Sequence, residues 1–548
     1  MGLLRELPTY ARFAVGLRRF LGRRLTLEEA RCIVRERLVR REENFLSLVG
    51  KGVYGNPRSP YPPLLRLAGV EQGDFHTMVR RHGVEGTLHL LRRAGVSVTF
   101  EEFRGHQPLV RGGRTFDIRP RDFDNPYLKR YYQGQTGGST GVGVRVSTDL
   151  DHLAAEAPNY MLTDEAHGIL YVPTATWLGV LPDSSGTNFA LRHAHYGHVV
   201  AKWFSHMPAS AMHVPLRHAL STRMVLWMAR LHGLRLPTPE PAPLDQAIRV
   251  ARWASDTLRA QGRCLVVSTV SRALRVALAA EEAGWDLKGA AFIGTGEPAT
   301  RAKVAGITRT GARWIPAYAF SEAGIAGFGC PEATDPSDVH LFTDLLALIQ
   351  HPRQIGETAL TVDTFYFTSL CPTAPKLLLN VEIDDYGMVE TRSCGCGLGA
   401  AGLTTHVRQI YSYRKLTGEG VTLVGSDAVR ILEEVLPAHC GGSPLDYQLV
   451  EEEDSQGFTR VFLYISPEIS LPSEAAAIEV VLRALERGSF PTGLAGAIWG
   501  QAGSLRVKRA PPLWTARGKH LPLRLRPSSG EQPSSTGPPA RSETPSGL

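Results

Sequence analysis

The chain has 548 residues, a formal net charge of +8, and 43% apolar and 21% charged residues. That length exceeds one ordinary hydrophobic core, so two or more domains follow, and no apolar run approaches the roughly 18 residues of a membrane span. Seven cysteines in a chain this long make no disulfide framework, and an odd number cannot all pair internally, which fits a reducing cytoplasm.

The arginines alternate with Asp and Glu and form no stripe, which argues against a nucleic-acid partner and suits a small phosphate-bearing substrate. The opening MGLLRELPTYARFAVGLRRFLGRR lacks a compact apolar core ahead of a small-residue cleavage site. It reads as a basic helix packed on the rest of the protein, not as a secretion signal. From Leu27 to about Phe103 apolar residues recur every three or four positions, broken by GNPRSPYPPLL, so residues 1–125 are predicted to be a helical lead-in.

The segment YYQGQTGGSTGVGVRVSTDL contains Thr136, Gly137, Gly138, Ser139, Thr140 and Gly141. Glycines let backbone N–H groups approach phosphate oxygens, and the hydroxyls add donors. The natural reading is an anion-binding loop, with a plain surface turn as the alternative; the Gly-Lys-Ser/Thr ending of a Walker loop is missing. Next, LRHAHYGH carries His193, His195 and His198, which suit a metal but suit a pocket wall or an ordinary helix face better.

Between Leu244 and Ile293 helix and buried strand alternate. A helix with Leu244, Ile248, Ala251 and Leu258 precedes the run CLVV, and one with Val270, Leu274 and Leu278 precedes GAAFIG. This predicts a largely parallel sheet covered by helices. Cys330 and His340, in CPEATDPSDVH, stand ahead of Cys394 and Cys396 in SCGCG. Three thiols and one imidazole are a donor set for closed tetrahedral zinc, although the spacing is not that of a zinc finger; buried free cysteines are the other reading. Cys32, Cys264, Cys371 and Cys440 show no partner spacing and are predicted to be packing residues.

After Arg414 come a helix from Asp427 to Leu436, a hairpin-like pair YQLVEEED and TRVFLYIS, a helix from Ser473, and a last strand-like piece SLRVKRA. Residues 415–526 thus read as a compact α+β domain. The tail 527–548 has too few apolar residues to offset the entropy of ordering it, and is predicted to be disordered. No internal repeat is visible.

TGGSTG followed by Thr148 and Asp149 resembles the signature loop of the acyl-adenylate-forming (AMP-binding) superfamily, in particular that of phenylacetate-CoA ligase and its relatives. GTGEPAT, with Gly296, Glu297 and Pro298, looks like the segment along the adenine. AYAFSEAG looks like the aromatic-and-glutamate segment, where Tyr318 would stack on the base, Ser321 would adjoin the nucleotide and Glu322 would hold Mg²⁺. NVEIDDYG occupies the place of the aspartate that binds the ribose hydroxyls; Asp385 fits the spacing slightly better than Asp384. Arg414 matches the hinge-region arginine, and Lys519, in PPLWTARGKHLPLRL, the lysine of the first half-reaction. On residue type alone Glu322 and Lys519 could be solvated surface residues, and Asp384 and Asp385 turn residues. There are departures: Gly143 and Val144 stand where a lysine is common, and Gly137 stands in place of a serine.

The resemblance spans Thr136 to Leu525 and implies an α/β fold, with residues 126–414 as the core of a large N-terminal domain with helix-covered sheets and a small mobile α+β domain behind it. It implies ATP-dependent activation of a small-molecule carboxylic acid to acyl-AMP with release of pyrophosphate, then transfer to coenzyme A. Two anions meet in the first step, so Mg²⁺, backbone donors and a lysine are needed. Lys519 is one of only nine lysines in an arginine-rich chain. The resemblance also implies a structural Zn²⁺ on Cys330, His340, Cys394 and Cys396, tying the Glu322 segment to the Asp385 segment. The alternatives are transfer to an acyl carrier protein thiol, a protein cysteine or an amine, or a catalytically silent nucleotide-binding relative.

Overall fold

The run CLVV becomes the strand Cys264–Thr269, buried at every position, with Ala290–Thr295 parallel to it. Alternate side chains serve opposite faces: Cys264 and Val266 join one apolar cluster with Val250, Ala254, Leu274 and Ala277 of the neighbouring helices, whereas Leu265 and Val267 join the other. The computed structural model describes residues 13–128, 132–135, 145–181, 183–205, 216–354, 361–412, 417–418, 421–422, 425–453, 459–486, 505–514 and 520–525.

Among the described residues the principal sheet has twelve strands. From Glu240–Pro241 it runs through Lys202–Ser205, Thr174–Trp177, Cys264–Thr269 and Ala290–Thr295 to Arg313–Phe320, all parallel. Beyond Arg313–Phe320 come Gly324–Gly329, Val339–Leu341, Thr405–Ser412, Val381–Thr391, Thr361–Ser369 and Leu346–Gln354, all antiparallel. The sheet is therefore mixed, not largely parallel. Only a short turn separates Phe320 from Gly324, too little chain for a parallel crossover.

Residues 13–22 are helical, with Phe13, Leu17, Phe20 and Leu21 buried, so this basic helix packs on the protein as expected. The helical lead-in continues through Leu27–Val39, Arg41–Val49, Tyr61–Leu67 and Gln72–Arg93. The proline-rich stretch opens the helix Tyr61–Leu67, where prolines in the first turn remove no helical hydrogen bond. No described helix is long and apolar enough to cross a membrane.

A four-stranded sheet forms from Leu505–Arg509, Thr459–Ile465, Tyr447–Glu453 and Leu523–Leu525, with its own apolar cluster including Ile431, Leu449, Leu463 and Val481. The expected hairpin and the helix Glu474–Glu486 are present. Leu505–Arg509 is not the last strand, because Leu523–Leu525 pairs parallel to Tyr447–Glu453. The helix expected at Asp427 to Leu436 is Gly425–Arg430 continued by a π-turn over Ile431–Val435. The tail 527–548 lies outside the described residues.

Charges meet where the two sheets' units touch. Lys303 Nζ lies 3.2 Å from Glu433 and 3.7 Å from Glu297, all three side chains being buried, and the Thr300 hydroxyl donates to Glu433. Arg275 stacks on Trp514 at 3.8 Å. Removing one member of a buried pair strands the other, at a cost of about 3–5 kcal/mol. Lys303→Ala is therefore expected to lower stability by about that amount in denaturant titration, and Lys303→Met combined with Glu433→Gln to recover most of it.

Candidate functional site

The sheet changes from parallel to antiparallel at Arg313–Phe320, and Gly296, Tyr318, Ser321 and Glu322 lie at the carboxyl ends of its parallel strands, where open α/β sheets bind ligands. Pro316 pairs with Gly294, so two residues further along each chain come Tyr318 and Gly296. Gly296 has φ +77°, a conformation that favours glycine. Pro298 and Ser321 are half-buried nearby in sequence, Ser321 in the turn after Phe320.

The Tyr318 hydroxyl donates to Asp385 Oδ2 at 2.9 Å. Their strands are four places apart in the sheet, about 19 Å if it were flat at the usual spacing of roughly 4.8 Å. The antiparallel half must therefore curl over, and Phe320 meeting Phe367 at 4.8 Å between centroids agrees. Both residues sit by register irregularities, between Tyr318 and Ala319 and between Tyr386 and Met388, which twist a strand and re-aim its side chains. Burial and then the Asp385 charge push the Tyr318 phenol well above its ordinary value. Asp384 instead accepts from the Ser412 hydroxyl at 2.9 Å, so the two carboxylates are separated by partner. At the head of that strand Asn380 has φ +50°, and its amide donates to Leu88 O at 2.8 Å and Val96 O at 3.2 Å, anchoring the strand to the helical lead-in.

Glu322, in the turn after Phe320, is 5% exposed, so it is no solvated surface glutamate. Its Oε1 lies 3.0 Å from the Arg104 guanidinium, a partner the sequence did not disclose. Gly324, with φ +91°, follows because a Cβ there would stand 2.2 Å from Glu156 Oε1 and 2.6 Å from His152 Nε2. Glu156 accepts the Ile325 N–H at 2.7 Å and pairs with Arg192 at 2.6 Å, clamping this turn to the helix Leu150–Ala166.

That helix follows the glycine-rich segment, whose shoulders Tyr132–Gln135 and Arg145–Thr148 form an antiparallel ribbon. Thr136, Gly137, Gly138, Ser139, Thr140 and Gly141 lie outside the described residues, as do Arg414 and Lys519. His520, next to Lys519 in sequence, is buried with its ring 5.2 Å from Trp514; burial and then the Lys303 and Arg275 charges push it well below its ordinary value. The Glu297 side chain takes the Ser271 hydroxyl and faces Lys303 in the charged contact between units. A surface depression lined by Pro467, Glu468, Ile469 and Arg509 shares no residue with this constellation.

The four sulfur and imidazole donors converge. Cys394 and Cys396 Sγ are 3.3 Å apart and lie 3.6 and 3.1 Å from His340 Nε2. His340 Nδ1 donates to Leu403 O at 2.6 Å, leaving the Nε2 lone pair facing the sulfurs, as a metal-ligating histidine does. Hydrogen bonding from Cys330 holds the Cys396 thiol well below its ordinary value, against burial. His406 is a further donor within 4.8 Å of Cys330, His340 and Cys394; nothing in the spacing of THVRQ marked it. Of the remaining cysteines, Cys264 and Cys371 are buried, but Cys32 is exposed and so is not a packing residue.

No family model matches the sequence, and no match was found among curated proteins. Solved structures do match. One is 2-hydroxyisobutyryl-CoA ligase in the postadenylation state with R3-HIB-AMP, at TM-score 0.52 and 13% identity over 91% of this chain and 90% of that one. Another is the same ligase with 2-HIB-AMP, at TM-score 0.51 and 12% identity over 91% and 89%. The chain has the adenylate-forming ligase fold.

Burial opposes the Glu156 carboxylate, but the Arg192 and His152 charges outweigh it and hold the group down at about 2. A depressed carboxyl stabilises the fold above its unfolded value and loses that contribution as pH falls through its folded value. The stability gap between wild type and Glu156→Gln is therefore expected to be largest near neutrality and to shrink from about pH 4.5 towards pH 2, as read by urea titrations across that range.

Proposed function

We propose that this chain is an AMP-forming ligase: it activates a carboxylic acid with ATP as acyl-AMP, releases pyrophosphate, and passes the acyl group to a thiol, that of coenzyme A. What carries the reading is the Tyr318 to Asp385 hydrogen bond, which brings the base-stacking and ribose-binding candidates together at the strand end that leads to Glu322. The two matching structures of 2-hydroxyisobutyryl-CoA ligase, each with an acyl-AMP bound, support it.

In this reading Tyr318 stacks on the adenine beside Gly296, and Asp385 accepts from the ribose hydroxyls. Glu322 would offer the hard oxygen ligand that Mg²⁺ prefers, with Arg104 anchoring its carboxylate. Thr136 to Gly141 supply backbone and hydroxyl donors to phosphate oxygens. Lys519 neutralises the approach of the carboxylate to the α-phosphate, and residues 415–526 turn about Arg414 for thioester formation. Each contribution is positional or electrostatic, which is the work this reaction asks of a protein.

A second acceptor is favoured by one observation, the buried thiol of Cys371 beside His152. Burial opposes its thiolate, but the neighbouring His152 imidazole outweighs it, and the thiol falls below its ordinary value; its sulfur stands 3.1 Å from the Thr373 hydroxyl. Acyl label that stays on denatured protein and is released by hydroxylamine would mark that ending; its absence, with thioester formed on free coenzyme A, selects the first.

The test is pyrophosphate release from ATP, Mg²⁺ and a panel of carboxylic acids with hydroxylamine as acceptor. Glu322→Gln and Asp385→Ala are expected to slow acyl-AMP formation at least about a hundredfold. Lys519→Ala should block adenylation yet still convert supplied acyl-AMP to thioester. No turnover with any acid and no ATP binding would overturn the reading in favour of a silent nucleotide-fold protein.

The thiol and imidazole cluster fits zinc by its chemistry, with Cys330, His340, Cys394 and Cys396 as ligands. Cys330 follows the strand after Glu322, and Cys394 follows the strand of Asp385, so the ion would tie these two segments. Cys394→Ser with Cys396→Ser is expected to remove about one equivalent of zinc by elemental analysis and to lower the thermal midpoint.

A further inference from the structure

The helix Leu150–Ala166 packs beside Ser185–His195, and near their ends lies a second group of donors that the proposed reaction does not use. Gly197, at φ +81°, lets the chain fold back after the helix, and the His198 N–H reaches His193 O at 3.0 Å. That turn sets the two imidazoles side by side, 5.3 Å between centroids. Asp164 completes the group, with His193 Nε2 3.6 Å and His198 Nδ1 3.7 Å from its Oδ2. All three residues are buried, at 0%, 3% and 1% exposure for His193, His198 and Asp164.

The protons are placed by the backbone. His193 Nδ1 faces Phe189 O at 2.9 Å and His198 Nε2 faces Val172 O at 3.0 Å. Carbonyls only accept, so these two nitrogens carry the hydrogens. His193 Nε2 and His198 Nδ1 are then bare lone pairs, and neither has a hydrogen-bond partner. Both are aimed at an acidic oxygen that already accepts the Tyr196 hydroxyl at 2.6 Å. Arg192 does not reach in to fill the space, since its guanidinium is engaged by Glu156.

Contacts of 3.6 and 3.7 Å are too long for hydrogen bonds. They are close to the separation of two ligands that share one ion: with metal bonds of about 2.0–2.1 Å, ligand atoms at tetrahedral to trigonal angles stand about 3.4–3.6 Å apart. Ring nitrogens tied to backbone carbonyls, with the opposite nitrogens left bare and converging, are the usual support for metal-binding histidines.

We propose that Asp164, His193 and His198 bind a divalent transition-metal ion of the zinc class, separate from the thiol cluster, through one carboxylate oxygen and two imidazole nitrogens. The ion would pin the end of Leu150–Ala166 to the turn after Ser185–His195. His195 takes no part; its Nδ1 faces Phe20 O at 3.0 Å and its ring stacks on Phe20.

Cobalt distinguishes the two donor sets, because thiolate ligands give strong charge-transfer absorption and an N/O site gives only weak d–d bands. Full-length chain stripped with a chelator and reloaded with Co²⁺ is expected to show an N/O cobalt signal of about one equivalent, with or without the thiolate bands. His193→Gln with His198→Gln should abolish the N/O signal and leave any thiolate bands, whereas Cys394→Ser with Cys396→Ser should do the reverse. Wild-type protein that takes up no cobalt, or only cobalt with thiolate bands, overturns the proposal whether or not the histidine variants fold. An N/O signal that survives in a folded His193→Gln/His198→Gln chain overturns it as well.

Discussion

The hydrogen bond from Tyr318 to Asp385 joins strands that lie four places apart in the sheet, and the rest of the site depends on the curl that makes it reachable. In the proposed reading, a base, a ribose and a metal-bound phosphate chain need an aromatic ring, an acceptor and a carboxylate within one nucleotide's length. The parallel half cannot do this alone, because its candidates all leave the sheet along one line of strand ends. The antiparallel half brings its own strand across. Irregular register at Tyr318 and at Tyr386 aims the side chains, and Phe320 and Phe367 meet beside the Tyr318 ring.

The contact between the large and small units is built differently from either core. Lys303, Glu297 and Glu433 meet there with their side chains buried, and Thr300, Arg275, Trp514 and His520 are nearby. Buried charges lose solvation that their mutual attraction barely restores. Opening such a contact returns hydration to every charge, whereas opening an apolar one exposes surface to water and gains nothing. A charged contact is thus suited to units that must separate and meet again, and it lies where the Gly296 to Pro298 segment leads into the helix Arg301–Thr308.

Much of this was legible in the sequence, and what was legible was local or ordered along the chain. Runs such as CLVV and GAAFIG gave buried strands because burial leaves a continuous apolar signature. The sequence order of motifs correctly indicated the fold, although no single one was distinctive. What was missed is non-local. Arg104 reaches Glu322 from the helical lead-in, and His406 joins the thiols from a strand with no motif of its own. Leu523–Leu525 is too short for periodicity to show and is a strand only because Tyr447–Glu453 accepts it. The antiparallel half was missed because its strands are not separated by helices, and alternation of helix and strand was the signal in use.

The histidines show what geometry adds to spacing where a metal site is in question. His193, His195 and His198 looked equivalent in LRHAHYGH, and each has a ring nitrogen against a backbone carbonyl. Only for His193 and His198 does the other nitrogen end beside a carboxylate, and only there does a turn through Gly197 bring two such nitrogens together. His340 obeys the same rule beside its sulfurs, with Leu403 O as the carbonyl. A carbonyl that holds one proton in place decides which lone pair is presented, and the neighbours of that lone pair decide whether it is a ligand. Both conditions belong to the folded chain, so residues of identical sequence character divide into packing and coordination only once the backbone is in place.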